Sequence, residues 1–309
     1  MARPRELRRR IKSVESTRKI TKTMEMVATS KLKRAQDRVV AARPYAQALA
    51  DVIADLYTPE LAERFPLLRQ PKGEGKRAAV VFITSNRGLC GAFNSNLIRE
   101  TRRTVKELEG RGTQVDLYGI GRKGIGFFKY TGRALAGARQ DIGDRPTVAH
   151  AQEIAQPLMD QFEAGRLDAV HVVFARFVSA VSTPPQTMQI LPVTPPGADR
   201  RSGGRADGGA TGGPSAHPPT RPSANYILRP SAEEIVGAIL PLYVRNAMYR
   251  ALVETVASEQ GARRTAMKNA TDSAGDMIDT LRRTYNRVRQ AQITQELAEI
   301  VGGAEALKG

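Results

Sequence analysis

The last fifty residues of the chain follow a helical repeat that needs a second helix beside it. The run 258–307 contains no proline, and its glycines are well separated. Its apolar residues are mostly three, four or seven apart, with one two-residue slip at 291–293. They are Met277, Leu281, Val288, Ala291, Ile293, Leu297, Ile300, Ala304 and Leu307. The spacing predicts a helix that packs along a partner, with a stutter at the slip.

The N-terminal segment is the predicted partner. A helix is expected from Pro4 to Tyr57, since proline is tolerated in a first helical turn. Pro44 predicts a kink inside it. Its apolar stripe also contains a slip and comprises Leu7, Ile11, Val14, Ile20, Met24, Val27, Leu32, Ala35, Val39 and Ala42.

The two helices are too long to be contained in one domain. Ser231 and Glu234 form a capping box at the expected start of the C-terminal helix, and Pro241 should bend its early part. At 1.5 Å per residue the helices span roughly 80 Å and 110 Å, whereas a small domain is about 30 Å across. We therefore expect them to project as an antiparallel pair. The alternative is a pair folded back over a globular core.

Charge is concentrated at the N-terminus. The 309 residues carry a formal net charge of +17, and residues 1–43 hold fourteen Lys and Arg against four acids. Such a helix is expected to meet an acidic partner, either nucleic acid or an acidic protein surface; a merely solvated face is the alternative. With 41% hydrophobic and 26% charged residues the chain is expected to be soluble. It shows neither a membrane span nor a signal peptide, and the single cysteine, Cys90, fits an intracellular protein.

The middle of the chain alternates strand-like and helix-like segments. Strands are expected over 77–85, 113–120, 168–182 and 186–193, and helices over 94–109, 122–132 and 147–163, which predicts an α/β domain. Residues 195–224 are rich in Gly, Pro and small polar residues and are expected to form a flexible insertion. The predicted division is 1–57 (N-terminal helix), 77–194 (α/β domain), 195–224 (insertion) and 230–309 (C-terminal helix).

The residues do not assemble a convincing active site. Gly119, Gly121 and Gly124 form a G-x-G-x-x-G after a strand, with Asp141 near the ribose-binding distance, but turn glycines are the favoured interpretation. The loop 84–94 has no P-loop sequence, and Cys90 is expected to be a buried structural thiol. The histidines (His150, His171 and His217) are too scattered for a metal site. We expect no catalytic residue, no cofactor and no metal.

Three separated segments resemble the gamma subunit of F-type ATP synthases. They are ITKTMEMVATSKLKRAQDR (20–38), ITSNRGLCGAFN (83–94) and YNRVRQAQITQELAEIVGGAEAL (285–307). The resemblance covers nearly the whole chain. It implies a long antiparallel coiled coil of the N- and C-terminal helices plus a central Rossmann-like α/β domain. It also implies a noncatalytic rotary shaft that couples ion-driven rotation of the c ring to ATP synthesis in a ring of alpha and beta subunits.

Family positions can be carried over to individual residues. Lys22 and Met24 match the rotor–stator contact. Ile293, Leu297 and Ile300 match the apolar surface at the C-terminal end on which the shaft turns. Polar contacts to beta-subunit loops are implied for Arg263, Arg289, Gln290 and Thr294. Tyr226 lies in a segment expected near the c ring. Ordinary coiled-coil surface is the alternative for each of these residues.

The resemblance further implies a foot that binds the epsilon subunit and the c ring. Membrane association would then come only through the complex, on the cytoplasmic face of a bacterial plasma membrane. Arg264 and Thr265 replace an apolar and a small residue, and Asn86 replaces the usual Asp. The insertion contains no cysteine, which excludes thiol regulation; a role as a rotation brake is a hypothesis from its position.

Two other functions are weighed against the shaft. A basic coiled coil could bind nucleic acid, although the absence of Trp and an aromatic content of 5% leave few stacking platforms. A dinucleotide-dependent enzyme would rest on the three glycines alone.

Overall fold

Two very long helices dominate the structure. The computed structural model describes residues 4–56, 64–69, 76–194 and 232–306. Helix α1 spans Pro4–Leu56 and α5 spans Ala232–Ala306, which are 53 and 75 residues. Three shorter α-helices lie between them in the described chain: α2 (Phe93–Gly110), α3 (Arg122–Tyr130) and α4 (Val148–Glu163). A single 3-10 turn, Pro66–Leu68, precedes the sheet. Both long helices continue through their prolines, Pro44 and Pro241, and the capping residue Ser231 lies outside the described residues.

A five-stranded sheet forms the centre of the α/β domain. Its strands are β1 (Arg77–Ile83), β2 (Gln114–Ile120), β3 (Gly137–Arg139), β4 (Ala169–Ala175) and β5 (Pro185–Leu191). The order is β3-β2-β1-β4-β5, with β5 antiparallel to β4 and the other neighbours parallel. The parallel order 3-2-1-4 is that of a Rossmann-like domain. The strand expected over 168–182 ends at Ala175, because the chain turns back to form β5.

Both faces of the sheet are covered by helices. On one face Phe82 and Leu117 pack with Leu97 of α2 and Ile125 of α3. On the other face the core includes α4 and the first part of α5, through Val236, Leu240, Val244, Met248 and Leu252. The beginning of the C-terminal helix is therefore part of the domain core, and only its continuation can pair with α1 away from the sheet.

Contacts between α1 and α5 establish that the helices run antiparallel. Arg8 donates to the Tyr285 hydroxyl at 2.6 Å, and Arg282 donates to Glu15 at 2.7 Å. Further along, Thr271 donates to Thr21 at 2.8 Å. As the residue number rises along α1, the number of its partner on α5 falls, which confirms the predicted antiparallel coiled coil.

The seam of α1 differs from the predicted stripe. Ile20 and Val27 are 56% and 55% exposed, whereas Thr21 and Ala28 are buried. The expected slip was therefore wrong: the buried and half-buried residues of α1 keep a seven-residue repeat, which is interrupted only in the second set, at the exposed Arg18. One set is Leu7, Val14, Thr21, Ala28, Ala35, Ala42 and Leu49, and the other includes Ile11, Glu25, Leu32, Val39, Ala46 and Ile53. Thr21 tolerates burial because its hydroxyl is hydrogen-bonded to Thr271 and to the carbonyl of Arg18.

The seam of α5 confirms part of the predicted stripe and corrects the rest. Leu281 and Val288 are half-buried as expected, whereas Met277 is 54% exposed and Ala291 is exposed, and Ile278 is the buried residue at that turn. The observed seam alternates steps of three and four: Val253, Ala257, Gln260, Arg264, Met267, Thr271, Ala274, Ile278, Leu281, Tyr285 and Val288. Beyond Val288, the side chains of residues 289–303 are all exposed. A partner along the whole C-terminal stripe was therefore a wrong expectation, since the described part of α1 ends before the tip.

Neighbouring substitutions in α1 test this seam. Ala28→Asp should lower the free energy of unfolding by more than about 2 kcal/mol, because it places a charge in the closed interface. Val27→Asp should change it by no more than about 0.5 kcal/mol, since an exposed helical position tolerates a polar residue. Urea unfolding of the full chain, followed by circular dichroism at the helix band, measures both. Equal losses would contradict the seven-residue seam.

Candidate functional site

The end of α5 presents an apolar surface that the described part of the chain does not cover. Ile293, Leu297 and Ile300 are 44%, 58% and 67% exposed, and the neighbouring Val301 is exposed as well. These residues follow one another at steps of four and three, so they share one face of the helix. Monomeric proteins seldom leave such a stripe in water without a partner.

The apolar face of the tip is rotated relative to the seam. A further step of four from Val288 reaches Gln292, but the apolar stripe resumes one residue later, at Ile293. One residue corresponds to about 100° of rotation around the helix. The slip at 291–293 therefore coincides with the place where α5 leaves α1, and the stripe beyond it faces a different direction from the seam.

The polar residues carried over to this region lie on the same exposed turns. Arg289, Gln290 and Thr294 are all exposed. Thr294 donates its hydroxyl proton to the carbonyl of Gln290 at 3.0 Å. The structure thus brings together six of the sequence-predicted residues, 289, 290, 293, 294, 297 and 300, within three to four helical turns.

Lys22 and Met24 lie separately, in the middle of α1. Lys22 is exposed and pairs with Glu25 at 3.1 Å, and Met24 is half-buried. The apolar residues Ile20, Met26 and Val27 are exposed on the same stretch. A basic helix that points apolar side chains outward has the composition of a contact surface. Tyr226 lies outside the described residues.

Arg263 differs from the other predicted contact residues because its side chain is buried and reaches a loop of the α/β domain. Its guanidinium is buried, donates to Glu259 at 2.6 Å and donates to the carbonyl of Gly88 at 3.3 Å. Burial raises the pKa of the Glu259 carboxyl, and the positive charge of Arg263 opposes that rise. Arg263 therefore fixes the loop after β1 against the shaft.

A second polar contact joins both long helices to the loop before α4. Asp144 accepts a hydrogen bond from Lys31 of α1 at 2.5 Å and one from Gln260 of α5 at 3.3 Å. Its carbonyl accepts from Arg38 at 3.0 Å. Partial burial opposes ionisation, but Lys31 and the more distant arginines outweigh it and lower the pKa of Asp144. We call this group (Lys31, Arg38, Asp144 and Gln260) the junction.

No spacing signal in the chain points to the junction. Asp144 and Lys31 are 113 positions apart, and Asp144 and Gln260 are 116 apart. A surplus of lysine and arginine on α1 indicates that an acidic partner exists, but it does not distinguish an internal carboxylate from an external one. The junction accounts for part of the charge that was assigned to external partners.

Asn86 has a structural reason to replace aspartate. Its amide nitrogen donates to the carbonyls of Gln140 and Ile142, at 3.1 and 2.8 Å. Its amide oxygen accepts from the backbone N–H of Arg122 at 2.9 Å. An ionised aspartate could accept the last bond but could not donate the first two.

The glycine-rich motif serves the packing of the domain. The first N–H groups of α3 are bonded to the end of β1: Arg122 to Asn86, Lys123 to the Ser85 carbonyl at 3.1 Å, and Gly124 to the Thr84 hydroxyl at 3.0 Å. Gly121 has φ +94, and a Cβ there would lie 2.0 Å from the Thr84 carbonyl oxygen. The groups that would hold a pyrophosphate thus bind the protein itself.

The other candidates for chemistry also have structural roles. Cys90 is buried, and burial raises the pKa of its thiol. His150 caps α4 together with Thr147, and burial lowers the pKa of His171. Asp141 is paired with Arg139 at 2.5 Å. Within the described ranges there is no cluster of three metal-ligating side chains, and no described helix combines the length and hydropathy of a membrane crossing.

These features define a class of protein. A domain anchors an antiparallel coiled coil, the coil continues into an uncovered helical tip, and the loops that resemble nucleotide sites are filled by the chain itself. That combination is typical of a mechanical shaft rather than a catalyst.

Comparisons with known proteins identify the family. A family model described as ATP synthase matches residues 3–307. The ATP synthase gamma chain of Gemmatimonas aurantiaca is 56% identical over 309 residues and covers 100% of both chains. That of Legionella pneumophila (strain Corby) is 38% identical over 307 residues, which are 99% of this chain and 100% of the relative. The chain belongs to the ATP synthase gamma-chain family.

Solved structures agree with this assignment. The central stalk and c-ring structure of the Tetrahymena thermophila mitochondrial ATP synthase contains a chain with TM-score 0.58 and 26% identity, covering 81% of this chain and 99% of that one. A chain of the Euglena gracilis mitochondrial ATP synthase rotor gives TM-score 0.61, covering 94% and 98%; at 20% identity it supports the fold alone. As a gamma chain the protein is a noncatalytic subunit of a membrane-associated complex, and the nucleic-acid-binding alternative is not supported.

The junction predicts a pH-dependent contribution to stability. Asp144→Asn should lower the free energy of unfolding at pH 7 by about 1 kcal/mol, since it removes a partly exposed ion pair with Lys31. Because the pKa of Asp144 is lowered in the folded chain, its contribution is present at neutral pH and is lost as pH falls. The difference between the variant and the wild type should therefore shrink below about pH 4.

Urea unfolding at several pH values measures this effect. Asp160→Asn is a matched control, because Asp160 is exposed on α4 and its carboxylate accepts a hydrogen bond from Gln156, one turn away on the same helix. The control should change stability by less than about 0.5 kcal/mol. A pH-independent loss in Asp144→Asn would contradict the role of the ion pair.

Proposed function

We propose that this chain is the central rotary shaft of an F-type ATP synthase. In this role it couples ion-driven rotation of the c ring to conformational cycling of the catalytic beta subunits. The observation that carries the proposal is the α5 tip, a single helix that extends beyond the described part of α1 with its apolar face open. Family membership and the antiparallel coil support the same conclusion.

The proposed coupling depends on the asymmetry of the shaft. A shaft whose sides differ presents a different surface to each of three beta subunits as it turns, and so biases the opening and closing of their nucleotide sites. We propose that the tip turns in an apolar bearing formed by the alpha and beta subunits. Its side chains at 293, 297 and 300 offer dispersion contacts with little directional preference, which lets them exchange partners during rotation.

The polar contacts to the ring are proposed at two levels of the shaft. Arg289, Gln290 and Thr294 would meet beta-subunit loops near the tip, and Lys22 and Met24 would meet acidic loops lower down. The exposure of Lys22 and of the neighbouring Ile20 and Val27 supports the lower contact. Arg263 contributes indirectly, because it holds the loop 84–94 against α5.

The foot of the shaft is proposed to bind the epsilon subunit and the c ring. Tyr226 belongs to this proposal on its resemblance alone. Membrane association would come through the complex, at the cytoplasmic face of a bacterial plasma membrane. We keep the division 1–57, 77–194, 195–224 and 230–309, with the addition that the first part of α5 completes the core of the α/β domain.

The bearing predicts a separation between folding and assembly. The triple change Ile293→Ser, Leu297→Ser and Ile300→Ser should reduce recovery of the chain in complex with alpha and beta subunits by at least about tenfold, since three apolar anchors are lost. The melting temperature of the isolated chain should stay the same, because these side chains contact solvent there. Co-expression and affinity purification measure recovery.

A matched triple variant controls for the shortening of three side chains to serine on the same helix. Gln292→Ser, Gln295→Ser and Glu299→Ser lie on the other side of the tip and should leave recovery within about twofold of the wild type. Failure of the wild type to co-purify with two large nucleotide-binding subunits would contradict the shaft. Retention on DNA that is lost at moderate salt would favour a nucleic-acid-binding protein instead.

Two deletions, one of the C-terminal tip and one within the insertion, compare the importance of these segments. Truncation from Ile293 should weaken torque transmission or assembly more than deletion of 197–221, because only the first removes the proposed bearing. Coupled ATP synthesis in membrane vesicles measures both variants. Equal synthesis in the two would contradict the bearing, and unchanged hydrolysis and coupling after deletion of 197–221 would exclude a brake.

A further inference from the structure

A basic cleft lies on the side of the shaft, away from the tip and from the junction. It has a volume of about 600 Å³ and is enclosed by α1, α5 and the residue that follows β4. Three arginines line it, one from each of these elements: Arg43 of α1, Arg250 of α5 and Arg176 after β4. Small-molecule sites commonly have volumes of roughly 300–1,000 Å³.

The charge of this cleft is incompletely neutralised by the described chain. Its only lining carboxylate among the described residues is Glu254, which is 1% exposed. One oxygen of Glu254 accepts from Arg250 at 2.8 Å, and the other accepts from the backbone N–H of Phe177 at 3.2 Å. Both oxygens are thus already used within the chain.

The two remaining arginines lack an acidic partner among the described residues. Arg43 makes one contact of 3.4 Å to the carbonyl of Phe177, and Arg176 is exposed at the edge of the cleft. A surplus of two guanidinium groups in a concave site concentrates positive potential there. Guanidinium groups bind phosphate oxygens through paired N–H donors.

Neutral polar groups complete the lining. Tyr243 and Asn246 are half-buried on the α5 wall. Burial raises the pKa of the Tyr243 phenol, with Arg250 opposing the rise, so the hydroxyl remains a hydrogen-bond donor at neutral pH. A phenol and an amide add orientation to the charge of the arginines, as in sites that hold small polar ligands.

We propose that this cleft binds a small phosphate-bearing anion with at least two negative charges. The ligand bridges Arg43 and Arg176 and thereby ties α1 to the end of β4, close to Glu254 and Arg250 of α5. Such a ligand binds the folded chain and not the unfolded one, so it stabilises the connection between the shaft and its domain. None of the residues that line the cleft is among those proposed to contact the alpha and beta subunits.

Calorimetric titration of the full chain tests the proposal. The probes are inorganic phosphate, pyrophosphate and ADP, which distinguish a free phosphate from a nucleotide, with sodium chloride at matched ionic strength as the reference. Pyrophosphate or ADP should bind and should raise the melting temperature by at least about 2 °C near saturation. Arg43→Ala and Arg176→Ala should each weaken binding by at least about tenfold.

Two further variants separate a specific site from a general attraction of anions to a basic protein. Arg166→Ala removes an exposed arginine beyond α4, outside the cleft, and should leave the dissociation constant unchanged. Arg176→Lys keeps the charge without the paired donors and should bind with intermediate strength. Equal weakening by Arg166→Ala, or no heat and no stabilisation with any probe up to about 10 mM, would overturn the proposal. Unliganded melting curves check that the variants are folded.

Discussion

The structure depends on one helix that changes its neighbour along its length. The first part of α5 lies on the sheet, where Val236, Leu240 and Val244 complete the domain core. Ile53, near the end of α1, belongs to the same core. The middle part of α5 pairs with α1 away from that core, and the last turns have no partner within the described chain. A helix of this length cannot be held by one core, so each part must satisfy a different environment. The sheet fixes where the coil begins, and the coil fixes where the tip points.

Much of the fold could be predicted from periodicity, because the elements are long and their patterns strong. The antiparallel pair and the α/β domain both follow from apolar spacing and chain order. The detailed seam did not follow. Selecting the apolar residues Ile20 and Val27 missed Thr21 and Ala28, since a small residue and a hydrogen-bonded hydroxyl fit a close helix interface better than a large side chain. Hydrophobicity alone does not report which face is closed.

The candidate site likewise contains features that could be predicted from the sequence and features that could not. The apolar face of the tip was predictable because its residues lie close together in the sequence. The slip at 291–293 was also visible in the sequence, and in the structure it marks the place where α5 leaves α1. The junction was not predictable, since Lys31, Asp144 and Gln260 come together only after the domain has folded. The three glycines resembled a cofactor motif because close approach of a strand to a helix start needs the same residue type whether a pyrophosphate or Thr84 occupies the space.

The distribution of bond types along the shaft matches what a rotor requires. Directional bonds are concentrated where the shaft meets its own domain: Lys31, Arg38 and Gln260 converge on Asp144, and Arg263 holds Gly88. Such bonds resist displacement, so torque can pass between the coil and the sheet without slippage. At the tip, the side-chain hydrogen bonds of the described residues stay within the helix, as between Thr294 and Gln290. One face of the tip is apolar, and the contacts proposed for it would tolerate a change of partner. A rigid attachment at one end and a non-directional surface at the other are both needed if rotation is to be transmitted at the base and permitted at the tip.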